Sequence, residues 1–215
     1  MLHSLLTSWF NFVRDWNYLG VFLLMALESS IVPIPSEVVM PPAAFWASQG
    51  KMEFWLVVLA GTAGSYFGSL MSYLVSQWVG RPVVTRFGKY FLLGPEKVAM
   101  AEVWVTRYGA GGVFFSRLLP VIRHLVSIPA GLLKMNFVKF SLATTLGAFS
   151  WCAILSWFGQ QILGDHPELL SSPEAMVAVC REKLHLVVAG VMVLAMAYSV
   201  VVYMKRKQPK AATAL

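Results

Sequence analysis

The chain has 215 residues, 58% of them hydrophobic and 13% charged, with a formal net charge of +7 and a mean hydropathy of +0.67. A soluble domain carries roughly 25% charged residues, so the composition excludes one and points to an all-α integral membrane protein. The Lys and Arg residues sit mostly between and after the apolar stretches, a pattern of membrane topology and anionic lipid headgroups that argues against a nucleic-acid partner.

In chain order, the start Met1-Leu2-His3-Ser4 lacks the basic opening of a cleavable signal peptide, so residues 1–17 are expected to stay as an interfacial segment. The apolar stretch from Tyr18 to Ser48 is broken by Glu28, Pro33, Pro35, Glu37, Pro41 and Pro42. Phe54 to Val79 carries no charge and exceeds the about 20 residues that a span needs. The connector, residues 80–108, carries Arg81, Arg86, Lys89, Lys97 and Arg107. Its latter part, after the start signal Gly94-Pro95, reads as an amphipathic helix with Val98, Ala101, Trp104, Val105 and Tyr108 on one face. Gly111 to Leu133 is again broken, by Arg117, Pro120, Arg123 and Pro129, and Phe137 to Gly164 is a second span. Residues 165–185 are expected to form a loop. The third span, Leu186 to Met204, opens the C-terminal segment 186–215 and runs into Lys205-Arg206-Lys207 and Lys210, which places the C-terminus in the cytoplasm.

That orientation sets the connector on the cytoplasmic surface and the 165–185 loop outside. Proline removes backbone donors, and irregular backbone survives at membrane depth only inside protein or along a polar cavity. Both broken regions therefore read as re-entrant hairpins shaped by Pro33, Pro35, Pro42, Pro120 and Pro129; the first either dips in from outside or spans fully. Trp9, Trp16, Trp46, Trp55, Trp78 and Trp104 fall near the expected boundaries and read as interfacial anchors. Two cysteines and four scattered histidines build neither a disulfide framework nor a metal site, and no cofactor is expected.

The two halves of the membrane domain 18–164, residues 18–79 and 109–164, resemble each other. Pro33, Pro42 and Ala43 match Pro120, Pro129 and Ala130 at an offset of 87. Met52, Phe54, Leu59, Ala60, Thr62 and Gly64 match Met135, Phe137, Leu142, Ala143, Thr145 and Gly147 at an offset of 83, six identities in thirteen positions. Together with the charge pattern this reads as an inverted-topology repeat, a class of fold that places substrate sites at the repeat interface near mid-membrane. Gly61, Gly64 and Gly68, with Ser65 and Ser72, give the first span a small-residue face suited to close helix packing.

The chemistry concentrates in the broken regions, where the first brings Glu28 and Glu37 and the second Arg117 and Arg123. A charge at mid-membrane costs about 2.5 to 3.5 kcal/mol on insertion scales, so these four must pair, stay hydrated or lie near the interface. Ion pairs that lock the hairpins together are the structural reading. Because buried pairs stabilise poorly, a functional reading competes with it: two guanidinium forks flanking Pro120 suit a phosphate. His124, beside Arg123, is of the residue type whose ordinary titration lies near neutrality, but it reads as incidental.

Glu28-Ser-Ser-Ile-Val-Pro33-Ile-Pro35-Ser-Glu37 and Phe114-Phe-Ser-Arg117-Leu-Leu-Pro120-Val-Ile-Arg123, followed by Ala130-Gly131 and Met135, resemble the DedA family of bacterial inner-membrane proteins, related to the VTT-domain proteins of eukaryotes. The resemblance spans Tyr18 to Gly164. It implies opposed re-entrant hairpins, with Gly131 among the residues that shape them, and translocation of undecaprenyl phosphate or a phospholipid that depends on the proton motive force. It places substrate binding on Arg117 and Arg123 and proton coupling on Glu28 and Glu37. The partners then expected are membrane lipids, an anionic lipid phosphate and protons, with assembly into a homo-oligomer left open. The setting is the bacterial cytoplasmic membrane, crossed several times. Two other readings stand beside it. One is a structural or assembly protein without transport. The other is a lipid phosphatase, for which Ser116-Arg117 and His124 are one residue out of register and lack an orienting acid.

Overall fold

The computed structural model describes residues 2–30, 36–80, 95–119, 122–123, 125–165 and 188–200. They form seven α-helices and a short 3-10 turn, with no strand among the described residues. Helix α1 is Leu2–Glu28, α2 is Met40–Ser48, α3 is Phe54–Val79, α4 is Pro95–Arg117, α5 is Ser127–Leu132, α6 is Phe137–Asp165 and α7 is Val188–Val200. The 3-10 turn, Ser36–Val38, leads into α2.

Helices α3 and α6 are long and apolar enough to cross a membrane. Their outer faces expose Trp55, Leu59, Val75 and Trp78 on α3 and Val138, Leu142, Leu146 and Trp157 on α6. Apolar faces of this extent on a monomer call for a cover, and a bilayer supplies it.

Two helices bend sharply. Asn17 in α1 has φ 49° and ψ −129°, and Gly109 in α4 has φ 56° and ψ −136°. Positive φ is open to glycine and, among other residues, mainly to short polar ones such as asparagine. Beyond each bend a short arm leads to the break in its half, 18–28 in the first and 110–117 in the second. The interruption of the first region is therefore narrower than the prolines imply, because Tyr18 to Glu28 is regular helix. Pro41 and Pro42 lie in the first turn of α2, where no intrahelical N–H is lost, and Pro129 lies in the first turn of α5. Pro33, Pro35 and Pro120 lie outside the described residues, as do residues 81–94 of the connector and both ends of the third expected span. The connector helix does start at Pro95, but it runs through the Gly109 bend to Arg117.

The shift in repeat offset has a local cause. Ala43 N–H donates to Val39 O, and 87 residues later Ala130 N–H donates to Val126 O. Lys51 N–H reaches Trp46 O and Met135 N–H reaches Ala130 O, both at 3.0 Å and now 84 apart. Val57 N–H to Glu53 O and Phe140 N–H to Asn136 O, also both 3.0 Å, are 83 apart. Helix α2 has 9 residues and α5 has 6, which removes three from the offset. The following link, 49–53 against 133–136, removes one more.

Packing repeats as well. A Cβ at Gly64 would meet the carbonyl of Phe22, and a Cβ at Gly147 would meet that of Phe114 at 3.1 Å. Each long helix thus seats the arm of its own half on a glycine, and Gly68, one turn on from Gly64, abuts the Ala26 carbonyl. The short helices cross over: α2 lies against α6, with Pro41 on Gly159, and α5 lies against α3, with Gly131 on Tyr73 and Ser76. The main core gathers Met25, Met40, Phe45, Val57, Val58, Trp151, Cys152 and Leu155. Trp46, expected at the interface, is buried in this core, because α2 is enclosed by α1, α3 and α6.

Candidate functional site

The arms of α1 and α4 end at Glu28 and Arg117, and the breaks that follow hold Glu37 and Arg123. All four are buried: Glu28 is 1% exposed, Glu37 8%, Arg117 2% and Arg123 6%. The structure brings Glu28 and Arg123 together as an ion pair between the two halves. The same Arg123 Nη2 donates to Ser36 Oγ at 2.8 Å, and Trp151 Nε1 donates to that oxygen at 3.3 Å. The guanidinium carbon of Arg123 stands 5.3 Å from the centre of the Trp151 ring. Arg123 is thus held by a carboxylate, a hydroxyl and an aromatic face. Ser36 and Arg123 are themselves 87 residues apart, so two positions related by the repeat offset touch each other.

Arg117 has a different setting. Its Nη2 donates to Ser127 Oγ at 2.5 Å, and its stem lies against Gly147 of α6. Among the described residues it has no carboxylate partner, and its Nε finds no acceptor. Glu37 is the middle residue of the 3-10 turn and makes no ion pair among the described residues. The arrangement is therefore one neutralised pair, Glu28 with Arg123, and one buried cation supported by a neutral hydroxyl. A cation so placed favours an anionic ligand, since desolvation without a counter-charge is costly.

Sequence reasoning singled out all four charged residues but not Ser36, Ser127 or Trp151, which hold the arginines. The only hint was Ser36 at offset 87 from Arg123. Of the phosphatase candidates, Ser116 is buried and donates to Gly112 O of its own helix at 2.7 Å. His124 lies outside the described residues. No group of three or more metal-ligating side chains occurs among the described residues.

Comparison with known proteins bears on the same region. The VTT domain matches residues 34–161. The chain is similar to undecaprenyl phosphate transporter A of Bacillus subtilis, 33% identical over 74% of this chain and 78% of that protein. It is also similar to undecaprenyl phosphate transporter A of Staphylococcus aureus, 28% identical over 93% of this chain and 97% of that one. An alkaline phosphatase-like protein of Lactococcus lactis subsp. cremoris is 35% identical over 74% of this chain and 76% of its own length. No solved structure matches.

Proposed function

We propose, from the premise that this chain belongs to the VTT-domain family, DedA proteins included, that it carries a phosphate-bearing lipid across a bacterial membrane. The observation that carries the reading is Arg117, a buried cation whose one bond among the described residues goes to a neutral hydroxyl. The names of two relatives supply the chemical class, and undecaprenyl phosphate is the first substrate to test.

The fold proposed for this task is an inverted repeat of residues 18–79 and 109–164, each half a re-entrant hairpin followed by a span. A further span and a cytoplasmic tail follow in 186–215. Matching backbone bonds at offsets 87, 84 and 83, and the contact between Ser36 and Arg123, support a two-fold relation between the halves. Cysteines placed at Lys97 and at Glu168 then react with an impermeant reagent from opposite sides of the membrane. Reaction from one side removes the inversion.

In the proposed cycle Arg117 takes the phosphate first. The second guanidinium can join it only if Arg123 leaves Glu28. Released from its partner in a low-dielectric setting, that carboxylate favours a proton. Anion and proton then cross together, with less net charge to carry through the bilayer. Glu37, in the turn beside Ser36, is the second proton carrier of the proposal.

The test is uptake of undecaprenyl phosphate by proteoliposomes of the full chain, with and without an inward proton gradient. Arg117→Lys keeps the charge but loses the planar fork, so uptake falls about tenfold or more if the phosphate bonds there are charge-assisted. Wild-type uptake by Arg117→Lys removes the phosphate role. Uptake that ignores the gradient removes the coupling. The phosphatase reading draws on the name of the Lactococcus relative, and release of inorganic phosphate in the same vesicles would favour it.

A further inference from the structure

Six helical hydroxyls in this protein, on Thr62, Ser69, Ser72, Ser116, Ser150 and Ser199, donate to the carbonyl four residues earlier in their own helix. That bond is the ready outlet for a hydroxyl shielded from water, since it needs only the right side-chain rotamer. Thr144 does not use it. Its side chain is 0% exposed, and its Oγ1 has no hydrogen-bond partner among the described residues. An unsatisfied buried hydroxyl is a standing cost that calls for an explanation, and its surroundings decide whether that explanation is functional.

Its place on α6 suggests the reason. Thr144, Gly147 and Trp151 stand at i, i+3 and i+7, on one face of the helix. Arg117 crosses that face at Gly147, where an added Cβ would meet Arg117 Cβ at 2.6 Å, and Arg123 lies over Trp151. Phe140 and Ala143, near Thr144 on α6, share an apolar cluster with Val126, which precedes Ser127, and with Ala130. Arg117, passing one turn along this face from Thr144, brings an Nε without an acceptor and a bond to the Ser127 hydroxyl, which keeps its own O–H, and Thr144 adds a second hydroxyl with a proton to give. Two hydroxyls and one guanidinium, with no carboxylate bonded to Arg117 among the described residues, match the acceptor oxygens of a phosphate group.

We propose that Thr144 is a direct ligand of the substrate phosphate, forming with Arg117 and Ser127 an anion subsite separate from the Arg123–Glu28 pair. The proposal rests on the lipid-phosphate reading and deepens it. The subsite takes a phosphate monoester at the head of a lipid. Arg123 closes on the phosphate afterwards.

The test measures equilibrium binding to the full-length protein in detergent micelles, with undecaprenyl phosphate, inorganic phosphate and the neutral alcohol undecaprenol as probes. Thr144→Val keeps the shape and removes the hydroxyl, so affinity for undecaprenyl phosphate falls about tenfold, as for loss of a hydrogen bond to a charged group. Thr144→Ser retains affinity within about twofold. The melting temperature of Thr144→Val is equal to or above that of the parent, because an unsatisfied group has gone. Ser156→Ala is the matched control. Ser156 is also 0% exposed and without a hydrogen-bond partner among the described residues, but it points about 120° around α6 from Thr144, and its loss leaves binding unchanged. Equal affinity of Thr144→Val and the wild type overturns the Thr144 assignment alone. The same loss with undecaprenol also overturns it, since the hydroxyl then reads something other than phosphate. Inorganic phosphate binding as tightly as the lipid overturns the lipid headgroup as ligand, and no binding of undecaprenyl phosphate by the wild type overturns the transport reading with it.

Discussion

Around the break in its membrane domain the first half of the molecule carries Glu28 and Glu37, and the second half carries Arg117 and Arg123. The backbone beside the two breaks is nevertheless built alike. Each arm follows a bend with positive φ, at Asn17 or Gly109, and each sits on a glycine of its long helix, Gly64 or Gly147. The halves therefore share a scaffold and divide the charges. A repeat that kept like charges in both halves would bring them together where the halves meet. Opposite charges allow the Glu28–Arg123 contact and leave Arg117 over. Three changes break or sharpen this comparison.

The largest effect is expected at the shared ion pair. Glu28→Gln or Arg123→Gln alone leaves one buried charge without its partner, at a cost of about 3–5 kcal/mol. Thermal unfolding in detergent measures it. The double replacement Glu28→Met with Arg123→Met recovers most of that stability, because a buried pair and an apolar pair of similar size are often near equal. Transport stays lost in the double variant. If it transports undecaprenyl phosphate at the wild-type rate, the charges are structural and the coupling scheme fails.

A middle effect separates the two glycine seats. Gly64→Ala meets backbone of Phe22, whereas the nearest obstacle at Gly147 is the stem of Arg117. Backbone cannot step aside, so Gly64→Ala is destabilising by about 1–3 kcal/mol. Gly147→Ala costs about as much in melting temperature, because Arg117 Cβ moves only with its backbone, and more in transport, since the strain falls on Arg117. A clear difference in melting temperature would mean that the two arms are not seated alike.

The smallest effect lies in the turns after the short helices. Gly50 has φ 72°, and Lys134, in the matching turn of the second half, has φ 49°. A side chain in this region costs about 1–2 kcal/mol that glycine avoids. Lys134→Gly therefore raises the unfolding free energy by about 1 kcal/mol, and Gly50→Ala lowers it by a similar amount. A destabilised Lys134→Gly would show that its side chain contributes more than the backbone strain costs.

How much of this was legible beforehand follows from the kind of signal each feature leaves. Phe54–Val79 is a helix with the limits that its unbroken apolar run set. The start of α4 at Pro95 was equally plain from Gly94-Pro95. The repeat offsets of 87 and 83 were visible, but the three residues missing from α5 and the one from its link needed the backbone. The bend at Asn17 was not read beforehand: asparagine is a poor helix former, but which asparagine adopts positive φ inside a helix depends on where packing directs the chain. Trp46 was misplaced for a related reason. An aromatic residue near an apolar boundary reads as an anchor, and only the enclosure of α2 by α1, α3 and α6 buries it.

The sequence by itself determined the solvent, the two helices α3 and α6 that are long and apolar enough to span, and the inventory of buried charge, since these follow from composition and the length of apolar runs. Which arginine meets which acid was decided by the tertiary structure alone. Arg117 and Arg123 are six residues apart with similar neighbours, and either could have faced Glu28. The crossing of α2 onto α6 and of α5 onto α3 brings Ser36, Glu28 and Trp151 to Arg123, and Ser127 and Gly147 to Arg117. Electrostatic character at such depth depends on neighbours within a few ångströms, drawn from remote parts of the chain. That is why one guanidinium is paired with a carboxylate and the other, among the described residues, bonds only a neutral hydroxyl.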